Sequence, residues 1–339
     1  MTDLEPATPR AGGPPGSHLP GVAGRRVTDL SAAAGGVVWL GVVAGTAGGV
    51  LSLSPPALYV GLAALVLVPL GLGVLESPRD ATPPSAPYRG AAVGQFPAAL
   101  ALVVALTAPQ GSLAAVALTV PWLGVTGTIA LCGLGRLVDR GGGPLPDLAI
   151  DAGLLYVPVA AAFLCLHAAG VSLRFAPIIV LLTGVHFHYA GFALPLVVGL
   201  TGRHLAGADG RFPATVAGRA TAGTTVVVVA GILLIAIGIT FSPLIEVVAV
   251  VAFTAGVVGF ALRTLRDVVP TVARLPGLLL AVAALSLCWT MALALAFAYA
   301  SLPGTAVLVT IPEMIRWHGS VNAFGFALPA LLAFRLLEA

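Results

Sequence analysis

This sequence predicts an all-α protein, a polytopic transmembrane helix bundle of about ten spans, and three observations carry that reading. Of its 339 residues, 58% are hydrophobic and only 9% charged, with a mean hydropathy of +1.05, whereas soluble domains carry about a quarter charged residues. Apolar runs of about 20 residues, enough to cross roughly 30 Å of hydrocarbon, recur from residue 30 onward. Threaded as ten alternating crossings, the runs leave every arginine except Arg174 and Arg316 on one side, which is the positive-inside pattern.

Taken in order, residues 1–30 open with "PATPRAGGPPGSHLPG", a composition that buries too little apolar surface to offset its ordering entropy. We expect a disordered, Pro/Gly-rich cytoplasmic tail there, followed by a transmembrane helical domain over 31–337. The first apolar run is too long for a signal-peptide core and lacks a cleavage signature, so it is expected to stay as the first helix. The spans are expected at 31–53, 56–75, 92–108, 112–135, 149–169, 175–201, 216–240, 244–262, 275–300 and 308–336. Barrel strands of about 10 residues would be shorter and alternating. The arginine pattern sets both termini on the cytoplasmic face of a prokaryotic cytoplasmic membrane.

Composition also limits function. All sixteen basic residues are arginine and most of them sit in the connections, as orientation signals do, so no nucleic-acid partner is implied. Cys132, Cys165 and Cys288 lie singly in different apolar runs, without the spacing of a zinc site, a redox pair or attached haem. Nothing marks an enzyme. The expected partners are the lipid bilayer and a small-molecule or ion substrate, and the oligomeric state is left open.

The pentapeptide GFALP occurs twice, at Gly191–Pro195 in the sixth span and Gly325–Pro329 in the tenth, and "LVLVPLGLGVL" in the second span carries Pro69 at a similar place. The intervals are four helices each, which suggests a four-helix unit repeated in parallel. Repeats with a site at their interface are a familiar transporter design. Pro195 and Pro329 each remove a hydrogen bond to the carbonyl four residues earlier, so Gly191, Pro195, Gly325 and Pro329 are expected to kink or widen their helices.

Polar residues gather at the same depth. Counting inward from the outer ends of the spans at about 1.5 Å per residue puts His186, His188 and His318 at roughly 18, 21 and 15 Å, one layer near mid-membrane. A membrane histidine generally faces the bundle interior and marks a proton path, a ligand site or a metal. We therefore expect His186, His188, Tyr189, His318 and Asn322 to form a substrate or proton site. His188 should face the proline-broken stripe and His318, with His186 and Tyr189 turned aside. Positions i and i+2 diverge by about 200°, so His186 and His188 cannot share one ion on a regular helix; His188 and His318 are the candidate metal ligands. Glu313 and Arg316, at i and i+3, are expected to pair as an outer gate, although an interfacial glutamate and a snorkelling arginine are the plainer account. His167, Asp147, Asp151 and Glu246 read as residues near helix ends.

"HFHYAGFALP" in the sixth span and "RWHGSVNAFGF" in the last resemble motifs of the YndJ-like family of prokaryotic integral membrane proteins. The resemblance covers residues 31 to about 337 and implies a multi-pass membrane protein of the transporter type, with no substrate attached. Its matching positions are His186, Phe187, His188, Tyr189, His318, Gly319, Asn322, Ala323, Gly325 and Phe326.

A transporter with an intramembrane, histidine-lined site and no assumed cofactor is thus the first reading. The alternatives are a membrane redox protein with histidines ligating haem or a metal ion, and a non-catalytic scaffold whose polar layer fixes helix packing.

Overall fold

The computed structural model describes residues 21–22, 25–75 and 84–338. Most of the tail expected over residues 1–30 lies outside them. Gly21–Val22 and Arg25–Arg26 pair as a two-residue antiparallel ladder, and the first helix begins at Val27, inside the expected tail. Asp29 in its first turn explains the early start, since its carboxylate suits the helix N-terminus and binds Arg335 at 2.6 Å.

Ten helices among the described residues are long and apolar enough to cross a membrane: α1 Val27–Ala47, α2 Pro55–Gly73, α3 Ala86–Thr107, α4 Leu113–Asp139, α5 Leu145–Ala168, α6 Pro177–Leu205, α7 Val216–Phe241, α8 Pro243–Thr271, α9 Arg274–Tyr299 and α10 Ile311–Glu338. Local signals set several starts. Ser85, Ser112, Thr215 and Thr310 accept backbone N–H bonds at the heads of α3, α4, α7 and α10, and proline occupies the first turn of α2, α6 and α8, where its missing N–H is harmless. The Ser85 cap moves the start of α3 six residues ahead of the hydropathy edge at 92.

Neighbours in sequence pack as antiparallel pairs, and the centre is α2, with 94% of its most apolar stretch buried against 17% for α1. A helix apolar on every side belongs inside. Around it, α2, α6 and α10 touch one another, so the three proline-bearing spans of the sequence echo form the core of the bundle.

Their backbones share one irregularity. π-helical segments run over Ala63–Leu67, Phe187–Ala193 and Val321–Ala327, each ending two residues before its proline, Pro69, Pro195 or Pro329. A proline ring cannot donate to, and clashes with, the carbonyl four residues back; widening the preceding turn relieves the clash. The weak third echo at Pro69 therefore has the same local structure as the two GFALP copies. Other helices use the widened turns: a Cβ on Gly35 of α1 would lie 1.9 Å from the Leu65 carbonyl oxygen, so only glycine admits that approach.

The arginine-rich ends are tied together. Asp151 accepts 2.8 Å from Arg136 Nε and also pairs with Arg140, Asp147 pairs with Arg203, and Arg26 and Arg335 donate to the Gly73 carbonyl at 3.1 and 2.9 Å. The helix ends that alternation assigns to one side do meet there. Asp147 and Asp151, read from sequence as first-turn carboxylates, are also the ion-pair partners that join α5 to α4 and α6.

Candidate functional site

A chamber of about 300 Å³ opens among α6, α7, α8, α9 and α10 in the arginine-poor half, with Tyr59 of α2 reaching its edge. Its walls are apolar, built from residues such as Ile239, Phe253, Met291 and Phe297, and its polar groups include His186, Tyr189, His318 and Asn322. No arginine lines it among the described residues.

Each imidazole is held by the main chain. His186 Nδ1 lies 2.8 Å from the Leu182 carbonyl one turn earlier, and His318 Nδ1 lies 3.0 Å from the Thr290 carbonyl of α9. A carbonyl oxygen only accepts, so both Nδ1 atoms carry a proton, and in the neutral form of each ring Nε2 is left as an acceptor. The ring centroids are 6.3 Å apart. His186 is exposed to the chamber and His318 half-buried.

His188 departs from expectation. It is completely buried, its Nδ1 donates to the Gly184 carbonyl at 2.8 Å, and its Nε2 accepts the Trp122 indole N–H at 3.2 Å. Both nitrogens are spent, Nδ1 on its own helix and Nε2 on α4, and the His188 and Trp122 rings stack with centroids 5.9 Å apart. The expected pairing of His188 with His318, as site or as metal ligands, is replaced by His186 with His318. The divergence of i and i+2 holds, but the side facing the chamber is the other one, because Trp122 claims His188. Among the described residues there is no group of three or more His, Cys, Asp or Glu side chains placed to hold a metal ion.

Hydroxyl groups connect the remaining polar residues. Tyr189 donates to the Tyr59 carbonyl at 2.9 Å, and Tyr59 donates to the Ile315 carbonyl at 3.0 Å, so α6, α2 and α10 are linked beside the chamber. Gly319 leaves room for this, since a Cβ there would stand 2.8 Å from the Tyr59 ring. Thr290, fully buried on α9, serves two site residues: its carbonyl orients His318 and its hydroxyl donates to Asn322 Oδ1 at 3.2 Å.

Glu313 and Arg316 do not form the expected ion pair. Glu313 Oε2 accepts from the backbone N and hydroxyl of Thr310 at 2.8 and 2.7 Å, completing a capping box, while the Arg316 guanidinium sits 4.9 Å over the Trp317 ring. Both side chains are exposed. The cap is worth more to Glu313 than a solvated partner, because it satisfies helix-end donors that would otherwise be orphaned. Gly191 and Gly325 lie in the widened turns, and Pro195 and Pro329 are buried behind them.

Three participants were not singled out in the sequence. Trp122 and Thr290 are polar-tipped residues in otherwise apolar runs, a signal too common to act on, and Tyr59 lies near the outer start of its span. Glu246, read as a helix-start residue, lies on the chamber wall.

Comparison with known proteins adds one lineage. The profile described as YndJ-like protein matches residues 58–326. A curated relative from Bacillus subtilis (strain 168), the uncharacterized membrane protein YndJ, is 30% identical over 243 residues, which cover 71% of this chain and 41% of that protein. The chain thus spans about two-fifths of the length of the relative it matches. No solved structure matches the chain.

Proposed function

Because the chain belongs to the YndJ-like family of multi-pass membrane proteins, we propose that it is a transporter whose substrate site is the chamber floor formed by His186, Tyr189, His318 and Asn322. The observation that carries this reading is a chamber confined to one half of the bundle. Its polar groups His186, Tyr189, His318 and Asn322 lie together on a lining that continues inward to Leu194 and Phe326. A site at mid-membrane, flanked by broken helices, is what alternating access uses. The widened turns before Pro195 and Pro329 supply backbone that can rearrange without losing a full ladder of hydrogen bonds. His188 contributes rigidity and does not touch substrate. The arginine-rich face is the cytoplasmic one, so the chamber opens to the outside.

The test uses cysteines in a background where Cys132, Cys165 and Cys288 are alanine. Asn322→Cys and Thr183→Cys, both on the chamber lining, are treated in right-side-out and inverted vesicles with a small membrane-impermeant maleimide. Alternating access predicts fast labelling from the outside and slower labelling from the cytoplasmic side. Labelling confined to one side under all conditions would rule out transport, and none at either position would mean a packed scaffold.

A further inference from the structure

We infer that the chamber takes an uncharged amphiphile, an apolar body carrying a hydroxyl head, bound head-down between His186 and His318. This rests on the chamber being a ligand site, as proposed above. The hydrogen-bond capacity left on the polar lining selects the ligand. The Nδ1 protons of both histidines are committed to main-chain carbonyls, and neither Nε2 has a hydrogen-bond partner among the described residues. The Tyr189 hydrogen is spent on the Tyr59 carbonyl, and the Thr290 hydroxyl lies within reach of the Leu287 carbonyl and Asn322 Oδ1. What the floor still presents is two imidazole acceptors and the Asn322 amide N–H. A hydroxyl answers both kinds, since it donates one hydrogen and accepts through its oxygen.

Charge points the same way. A carboxylate or phosphate would enter a chamber with no arginine on its described lining and with the Glu246 carboxylate on its wall, and burying an anion without a partner is strongly unfavourable. An apolar molecule lacking a donor would fill the walls but leave both imidazole acceptors dry and unpaired, and a site built around a hydroxyl discriminates sharply against analogues without one. The apolar walls set the size and the floor sets the head group.

The experiment uses the full chain in lipid nanodiscs and three probes of matched shape, 4-ethylphenol, 4-ethylanisole and 4-ethylbenzoate, each titrated calorimetrically. The phenol is expected to bind about tenfold or more tightly than the anisole, the difference one well-placed hydrogen bond can make, with no binding of the benzoate. His186→Leu should erase the phenol's advantage while the anisole still binds, and Ile239→Trp, which fills the chamber, should abolish binding of both. Equal binding of phenol and anisole, preference for the benzoate, an advantage that survives His186→Leu, or no binding of any probe overturns the inference. If that happens while Asn322→Cys is still labelled from both sides, the transporter reading stands and only the substrate class is wrong.

Discussion

The Trp122 indole N–H donates to Nε2 of His188 at 3.2 Å across the α4–α6 interface, and His188 returns its Nδ1 proton to its own helix at Gly184. The most deeply buried histidine among the described residues is therefore a structural joint between two helices. Its neighbour two residues earlier is the one left facing open space.

The joint should be measurable as stability with no effect at the chamber. His188→Leu leaves the Trp122 N–H buried without an acceptor, at a cost of about 1–3 kcal/mol. The expected result is a lowered melting temperature by intrinsic fluorescence with phenol binding unchanged. A loss of binding at full stability would return His188 to the site.

The Tyr189–Tyr59–Ile315 relay should behave as one unit. Tyr189→Phe and Tyr59→Phe each remove one hydrogen bond, worth about 0.5–1.5 kcal/mol, and both act on the same three-helix junction, so the double variant is expected to lose less than the sum. Strict additivity in a double-mutant cycle would show that the two bonds are independent.

Pro329→Ala restores an amide hydrogen aimed at Gly325 and removes the ring clash that the π segment relieves. We expect the widened turn to close into α-helix, with melting unchanged or raised. One residue of register is about 100° of rotation, so the outer part of α10 and His318 would turn away from His186 and the phenol's advantage would fall about tenfold. Raised stability with intact binding would mean that the π segment is not what aims His318.

At the arginine-rich end, Asp151 is 1% exposed and binds two arginines closely, whereas Asp147 is 15% exposed, its close partner Arg203 is 38% exposed, and its second arginine, Arg136, lies 3.9 Å away. Asp151→Asn should cost about 2–3 kcal/mol, less than a fully buried pair because Arg136 and Arg140 reach solvent. Asp147→Asn should cost under about 1 kcal/mol. Thermal melts of the two variants side by side check the ordering, and a larger effect at Asp147 would contradict it.

Much of the architecture is legible in the residues themselves. Hydropathy alone reads ten spans, because each run must satisfy the bilayer locally whatever it packs against. The proline positions read as helix breaks for the same local reason, and the repeated GFALP marks two of the three central helices. The Glu313–Arg316 pairing fails because i, i+3 spacing permits an ion pair without choosing it, and Thr310 offers Glu313 a nearer use.

The sequence by itself determined the number of crossings, the segregation of arginines and the breaks before Pro195 and Pro329, since these follow from hydrogen bonding and burial within single segments. Only the tertiary structure decided which histidine meets which. His186 and His188 point to opposite sides of one helix, and nothing within that helix says which side is a chamber. Trp122, 66 residues before His188, and Thr290, 28 residues before His318, settle it by claiming one imidazole for packing and aiming another into open space.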